Sequence, residues 1–251
     1  MSAESSETRP AHLELPEGKI TDGALAELRA MVGVQLRPER FIREATIDTI
    51  TNFCNGIGDV NPLHLSEDYA KWTRYGQIVA PFCFLYARTW PGRTRFGLPG
   101  VHGFHGGNDF TWSRRMRIGD QINAIDRVVG VEEKESRLSG RLVITTVETT
   151  FWNQDGAEVA RGLGWNTRHE RSAIRERDKE GSSSTQREFL LDPEELDSIE
   201  TAQATEDETR RGDEPRYWED VEVGDLIGPF YRGPLSLSDI TAFLIGCGRG
   251  K

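Results

Sequence analysis

Apolar positions change their period once along this chain. Between residues 22 and 90 they recur every three or four residues, the helical repeat; from about residue 108 they alternate, the repeat of a strand. In "DGALAELRAMVG", Leu25, Leu28, Met31 and Val32 share one helical face, with Asp22 as the expected cap and Gly33 as the stop. "VQLRPERFIREA" alternates and reads as a strand. In "TIDTITNFCNGIG", Ile47, Ile50, Phe53, Cys54 and Ile57 line one face, Thr46 suits the N-cap, and Gly56 and Gly58 punctuate the end. A short helix capped by Ser66 follows in "SEDYAKWTRYG". "PFCFLYARTW" then starts at Pro81 and is apolar nearly all round, the pattern of a helix buried on every side.

The second regime is built of long, β-branched segments: "DFTWSRRMRIGD", "QINAIDRVVGVEEKES", "RLSGRLVITTVETTFWNQDG" and "AEVARGLGWNTRHE". "NQDG" between the last two is a hairpin turn signal. Antiparallel strands after a buried helix predict an α+β domain whose curved sheet wraps that helix.

Composition refines the domain boundaries. The chain has 251 residues, of which 36% are hydrophobic and 29% charged, so part of it lies outside any core. Residues 1–17 read as a loose polar arm. Residues 169–215 read as a charged linker, with "DPEELDSIETA" as a short exposed helix. The formal net charge of −10 argues against a general nucleic-acid binder, because no basic surplus exists to neutralise phosphates. Cys54, Cys83 and Cys247 show no paired spacing, which suits a reducing compartment. No apolar run approaches a membrane span, and the expectation is a soluble cytoplasmic protein.

An internal repeat stands out. "TIDTITNFCNGIGD" from Thr46 aligns with "SLSDITAFLIGCGR" from Ser236 at an offset of 190 residues. Ile50 meets Ile240, Thr51 Thr241, Phe53 Phe243, Gly56 Gly246 and Gly58 Gly248, but Asp59 meets Arg249. Residues 216–251 therefore read as the beginning of an incomplete, degenerate second copy of the domain at 18–168. An isolated copy leaves an apolar face open, so a homodimer or a heteromer with a second such chain is expected.

Candidate chemistry concentrates in "GIGDVNPLH", residues 56–64. Asp59 and His64 in one tight loop could share a single water, while Asn61 orients the loop and Pro62 rigidifies it. Adding water across a double bond conjugated to a carbonyl needs a base, an acid and donors aimed at the developing enolate oxygen. The bland alternative makes Asp59 a turn former and His64 an ordinary hydrogen-bonded side chain.

"GDVNPLH", a short helix, "GQIVAP" and then a buried helix together resemble the MaoC-like family of R-specific enoyl-CoA hydratases and 3-hydroxyacyl dehydratases. The resemblance spans roughly residues 18–168. With "LPGVHGFHGGNDFTW", "RIGDQI" and "ETTFWNQDGAEVARG", the chain is most similar to the N-terminal half of the two-hotdog, fatty-acid-synthase-type dehydratases. It implies a hotdog fold, here a sheet curled round a helix at 81–90, and no metal or other cofactor. It also implies that Asp59 and His64 are the catalytic pair and that Asn61 supports them. Where many members have glycine this chain has Pro81, which has no N–H, so the oxyanion donors expected are the backbone amides of Phe82 and Cys83.

Arg114, Arg115 and Arg117 in "SRRMR" are candidates for coenzyme A phosphates, a solvated strand face being the alternative. His102, His105 and Asp109 could be drawn as a metal site but lack a fourth ligand. The glycines of "GVHGFHGG" read as a close backbone turn, and Trp112, Trp152 and Trp165 as sheet packing. The reading is a hydro-lyase interconverting a 2-enoyl thioester and a 3-hydroxyacyl thioester, with an acyl-CoA as partner. A branched dicarboxylic ester of mesaconyl or itaconyl type, a steroid side-chain ester, and a non-catalytic hotdog subunit binding acyl-CoA remain open.

Overall fold

The computed structural model describes residues 18–92, 96–136, 140–170, 191–209, 216–226, 228, 230, 231 and 233–249. The chain divides into two compact units, Met1–Ser183 together with Ala242–Lys251, and Ser184–Thr241. The expected N-terminal arm and most of the expected linker lie outside the described residues.

In the first unit the helical half comprises α1 (Asp22–Ala30), α2 (Ile47–Ile57), α3 (Pro62–Leu65) and α4 (Glu67–Lys71), followed by a 3-10 turn at Phe82–Phe84 that runs into α5 (Leu85–Arg88). The strands are β1 (Gln35–Leu36), β2 (His102–Trp112), β3 (Asn123–Ser136), β4 (Gly140–Trp152) and β5 (Glu158–His169), all antiparallel in the order β1-β3-β4-β5-β2. The α+β class follows from the change of period. Phe84 and Leu85 pack with Ile50 and Phe53 of α2 and with Phe151, Val159 and Ala160 of the sheet, all fully or nearly fully buried. Leu25 and Leu28 of α1 form a second cluster with Leu98, Val101 and Val143.

Several elements differ from the sequence expectation. The buried helix ends at Arg88, because Thr89 is extended and Trp90 precedes Pro91, a position disfavouring helix. The first helix is capped by Thr21 rather than Asp22, Thr21 Oγ1 accepting the Ala24 N–H at 3.2 Å. The strand expected through residues 34–45 shrinks to two residues. Phe41 and Ile42 instead donate their N–H groups to the carbonyls of Arg88 and Ala87, at 3.2 and 2.8 Å, at the end of α5.

The glycine-rich stretch is strand, not turn. Trp165 on β5 lies against Gly106 and Gly107, where a Cβ would come within 2.4 Å of its ring. Across the sheet, a Cβ on Gly164 would sit 2.2 Å from the Pro91 carbonyl oxygen, so glycine there lets the segment after α5 pack on β5. The "NQDG" hairpin forms as expected: Asn153 Oδ1 accepts the N–H groups of Asp155 and Ala157 at 3.1 and 3.0 Å, and Gly156 takes a positive φ of 76°.

The second unit contains α6 (Pro193–Ala204), capped by Asp192 through a reciprocal box with Glu195. Helix α7 (Leu237–Gly246) begins in this unit and ends in the first.

Candidate active site

Helix α2 is held at both ends, which fixes where the next residues point. Thr46 and Thr49 form a reciprocal N-terminal box. Gly58 closes the helix in the left-handed region at φ 67°, and the Asp59 N–H reaches back to the Cys54 carbonyl at 2.9 Å. Asp59 Oδ1 then accepts the Asn61 N–H at 2.9 Å, and Asn61 Oδ1 accepts the Leu63 N–H at 3.0 Å. Asn61 thereby caps α3, with Pro62 at its first position. His64 thus sits on a one-turn helix rather than in a loop, and is 5% exposed.

The Nδ1 atom of His64 lies 2.6 Å from the Val79 carbonyl oxygen. A carbonyl can only accept, so Nδ1 carries the proton and Nε2 is left as the basic atom. Val79 is itself pinned by a bridge to Arg117, and the Ala80 N–H donates to the Met116 carbonyl at 3.0 Å. Nothing in residue type or spacing marked Val79 as the anchor of the imidazole. Only the pairing of residues 79–80 with 116–117 puts it there.

The 3-10 turn at Phe82–Phe84 follows at once, and electrostatics tie it to Asp59. Burial pushes the half-buried Cys83 thiol above its ordinary pKa, its own backbone partly offsets this, and the Asp59 carboxylate adds to the rise. Burial, again reinforced by Asp59, pushes the Cys54 thiol up to about 12. The Asp59 charge is therefore felt at the start of the turn. The Phe84 N–H donates to the Pro81 carbonyl at 3.0 Å, the Cys83 N–H faces its own sulfur, and the Phe82 N–H has no acceptor among the described residues.

The three arginines of "SRRMR" part company. Arg114 is bound to the buried Asp120, 3.0 Å from its carboxylate, and Asp120 also accepts the Arg117 N–H at 2.8 Å and the Asn153 side-chain amide at 3.3 Å. Arg117 is exposed. Arg115 turns the other way, its guanidinium carbon 3.5 Å from the centre of the Phe82 ring. Trp112 packs on the same ring at 5.0 Å and donates its indole N–H to the Phe82 carbonyl at 3.2 Å. Arg74 and Tyr75, which spacing did not single out, join Arg115 here. Of the histidines, His102 packs on Phe104 and His169, while His105 faces Trp90. Among the described residues no group of three or more His, Cys, Asp or Glu side chains is placed to hold a metal.

Residues 30–161, more than half of the chain, match the family model described as FAS1-like, dehydratase domain region. A UPF0336 protein of Streptomyces avermitilis is 25% identical over 91 residues, covering 34% of this chain. The chain spans 61% of the length of that relative, and the same share of a UPF0336 protein of Streptomyces coelicolor that is 23% identical. A solved MaoC-like dehydratase superposes with a TM-score of 0.57 at 17% identity, over 88% of this chain and 67% of that one, which shows a shared fold. The MaoC-like dehydratase of Rhodospirillum rubrum is 24% identical over 55% of this chain and 92% of its own, with a TM-score of 0.43. With an α+β domain of hotdog fold and a family model that covers most of it, the chain belongs to the family described as FAS1-like, dehydratase domain region.

Proposed function

We propose that this protein hydrates a 2-enoyl thioester, a coenzyme A ester, to the 3-hydroxyacyl thioester and catalyses the reverse dehydration. What supports this reading is that one capped turn holds both Asp59 and His64, that the Val79 carbonyl leaves His64 Nε2 as the basic atom, and that the Asp59 charge bears on Cys83 in the following 3-10 turn. A water donates one hydrogen bond to the Asp59 carboxylate and one to His64 Nε2. Its oxygen adds to C3, and the electron pair of the C2–C3 double bond moves onto the thioester oxygen, which the Phe82 and Cys83 N–H groups stabilise. The proton lost by the water passes to the pair, and the pair returns one to C2 on the same face, restoring the carbonyl. Asn61 acts by holding the turn that fixes the two side chains. The reaction needs no cofactor, because every proton move lies within reach of a carboxylate and an imidazole.

Residues 216–251 are, on the same reading, the opening of a second hotdog, and the working protein pairs two hotdogs as a homodimer or a heteromer. Exposed Trp218, Val223, Leu226 and Leu235 support this, since isolated domains rarely leave so much apolar surface in water. Sedimentation is expected to show an assembly larger than one chain; a stable monomer would refute the pairing.

Hydration is tested by the loss of enoyl-thioester absorbance with crotonyl-CoA and a longer 2-enoyl-CoA. Wild type should bleach both, and Asp59→Asn and His64→Ala neither. Unchanged turnover in Asp59→Asn would place the chemistry elsewhere and leave this chain a supporting subunit.

A further inference from the structure

Asp59 and His64 both hang from a segment of chain outside their own turn, residues 114–121 between β2 and β3. On one side of that segment Arg117 bridges to Val79, whose carbonyl holds the His64 Nδ1 proton, and the Met116 carbonyl takes the Ala80 N–H at 3.0 Å. On the other side the Ala45 N–H donates to the Asp120 carbonyl at 3.0 Å, and the Gly119 N–H to the Ala45 carbonyl at 2.9 Å. Glu44 bridges to Gln121, and its carbonyl accepts the Thr49 hydroxyl at 3.0 Å. Ala45 directly precedes the Thr46 cap of α2, the helix whose far end delivers Asp59.

Asp120 is what holds the segment in shape. Its buried carboxylate accepts the Arg117 N–H at 2.8 Å, the Arg114 guanidinium at 3.0 Å and the Asn153 side-chain amide at 3.3 Å, so the loop and the β4–β5 hairpin converge on one charge. A hydrogen bond to an ionised acceptor is roughly twice as strong as one between neutral groups, and a donor buried without its acceptor is costly. The bond to the Arg117 N–H matters most for the site, because Arg117 is also the residue that bridges to Val79. The imidazole is sensitive to that placement. In water a neutral histidine prefers its proton on Nε2, and the bond made at the other nitrogen decides which form a folded site holds. The form that leaves Nε2 of His64 basic therefore depends on the Val79 carbonyl, 2.6 Å from Nδ1.

We infer that Asp120 is a positioning residue of this site: by fixing the Arg117 backbone it sets the Val79 carbonyl against His64 and so selects the imidazole tautomer. It touches no reacting atom. The inference rests on the hydratase reading only for its consequence in turnover, since the tautomer is a property of the protein without substrate. Loss of the carboxylate frees residues 116–117 and, through their pairing, residues 79–80. The bond at Nδ1 then loosens and admits the Nε2–H form, in which Nε2 cannot take a proton from water. The damage falls on the chemical step rather than on binding, so kcat should drop while KM holds.

Nitrogen NMR of the full chain with isotope-labelled histidine, at about pH 8 where the imidazole is neutral, reads the tautomer directly, and His64→Ala identifies its signals. Wild type should show His64 as a single Nδ1–H form. Asp120→Ala should show a mixture with Nε2–H, and should lower kcat for crotonyl-CoA by about 10–100-fold with KM changed less than about twofold. Asp120→Asn keeps one oxygen for the Arg117 N–H, so it should fall between the two, and it carries the test alone if the alanine variant does not fold. Arg114→Met removes the ion pair but not the bond to Arg117; it should lower the melting temperature and leave the tautomer as in wild type. A wild type already in the Nε2–H form overturns the inference. So does a tautomer unchanged in the Asp120 variants, or one shifted as far by Arg114→Met. Release of the tautomer by the Asp120 variants in a protein that hydrates no enoyl thioester keeps the positioning role and loses the hydratase reading. Hydration with a tautomer indifferent to Asp120 does the reverse.

Discussion

Helices α2 and α7, whose sequences repeat at an offset of 190 residues, are finished alike at both ends. Thr46 and Thr49 cap the first through mutual hydrogen bonds, and Ser236 and Asp239 cap the second in the same positions. Gly58 and Gly248 both take a positive φ, 67° and 71°. The N–H of Gly58 goes to Asn55 and that of Asp59 to Cys54, while the N–H of Gly248 goes to Ile245 and that of Arg249 to Leu244. Even the contact between them is reciprocal. A Cβ on Gly56 would meet the Ala242 carbonyl at 2.8 Å, and one on Gly246 would meet that of Asn52, the aligned residue, at 2.8 Å. Yet after the cap one copy presents Asp59 to an Asn-Pro-x-His turn, and the other presents Arg249 to the faces of Trp90 and Phe41, at 4.7 and 5.1 Å. Caps and glycines set a direction in space, and a single residue after the cap decides whether that direction ends in a carboxylate, to which the proposed function gives catalysis, or in a cation stacked on aromatic rings.

The widest separation between the copies is expected in turnover. Asp59→Asn keeps the Oδ1 that receives the Asn61 N–H but removes the charge, and His64→Ala removes the base. Each should lower the hydration rate of crotonyl-CoA by about 10²–10⁴-fold; Asp59→Asn should leave the melting temperature nearly unchanged, whereas His64→Ala, which empties a buried site and strips the Val79 carbonyl of its donor, should also lower it. Arg249→Ala, at the matching position, should leave the rate unchanged. A comparable loss of rate in Arg249→Ala would show that the second copy takes part in the chemistry.

Next in size is the glycine contact. Alanine favours a helix interior over glycine by about 1 kcal/mol, so Gly56→Ala would stabilise an isolated α2. Here the added methyl meets backbone at 2.8 Å, which cannot rotate away as a side-chain tip would. Gly56→Ala and Gly246→Ala are each expected to destabilise by about 1–3 kcal/mol in urea unfolding. Gly23→Ala in α1, where the new Cβ meets nothing within 4 Å, should instead be neutral or stabilising. Equal effects at the three positions would mean that the helices are not in contact in solution.

The two ends of α2, the reversal at Asn153–Gly156 and the β3–β5 strands were legible in the sequence because each depends on neighbours within a few residues. The tight turn from Asp59 to Pro62 was legible for the same reason: Asx turn, cap and proline are local devices. What was not legible depends on pairing across the fold. Residues 34–45 look like a strand until the carbonyls at the end of α5 take the N–H groups of Phe41 and Ile42. The glycines of β2 look like a turn until Trp165 occupies the space beside them. Arg114, Arg115 and Arg117 are indistinguishable by spacing, yet the buried Asp120 claims the Arg114 side chain and leaves Arg115 to meet Arg74 and Tyr75, which lie some forty residues earlier.

The packing role of Arg249 gives a smaller effect. Its guanidinium lies over two rings, so Arg249→Ala should cost about 0.5–2 kcal/mol in unfolding, read in the same urea titration. Arg249→Lys, which keeps charge but loses the planar stacking group, should fall between the two. No loss in either variant would show that the stacking contributes nothing to the fold.

The smallest expected effect probes whether Asp59 and the 3-10 turn are neighbours. Thiolate is the species that iodoacetamide attacks, and all three thiols are shifted against it. Burial is the largest cause each time; Cys54, next to the Asp59 carboxylate, reaches about 12, and Cys247, where Arg249 pulls the other way, about 11. Cys54 and Cys247 are fully buried, so in the native protein at pH 8 mass spectrometry should find label only on the half-buried Cys83, added slowly. Asp59→Asn removes a negative charge that disfavours the Cys83 thiolate, so its pKa falls, the thiolate fraction at pH 8 rises, and labelling should quicken roughly twofold to fivefold. Arg249→Ala should leave the Cys83 rate unaltered. A Cys83 rate indifferent to Asp59→Asn would mean that the carboxylate does not face the turn, and the amides of Phe82 and Cys83 would then lie too far from the catalytic pair to serve the same thioester.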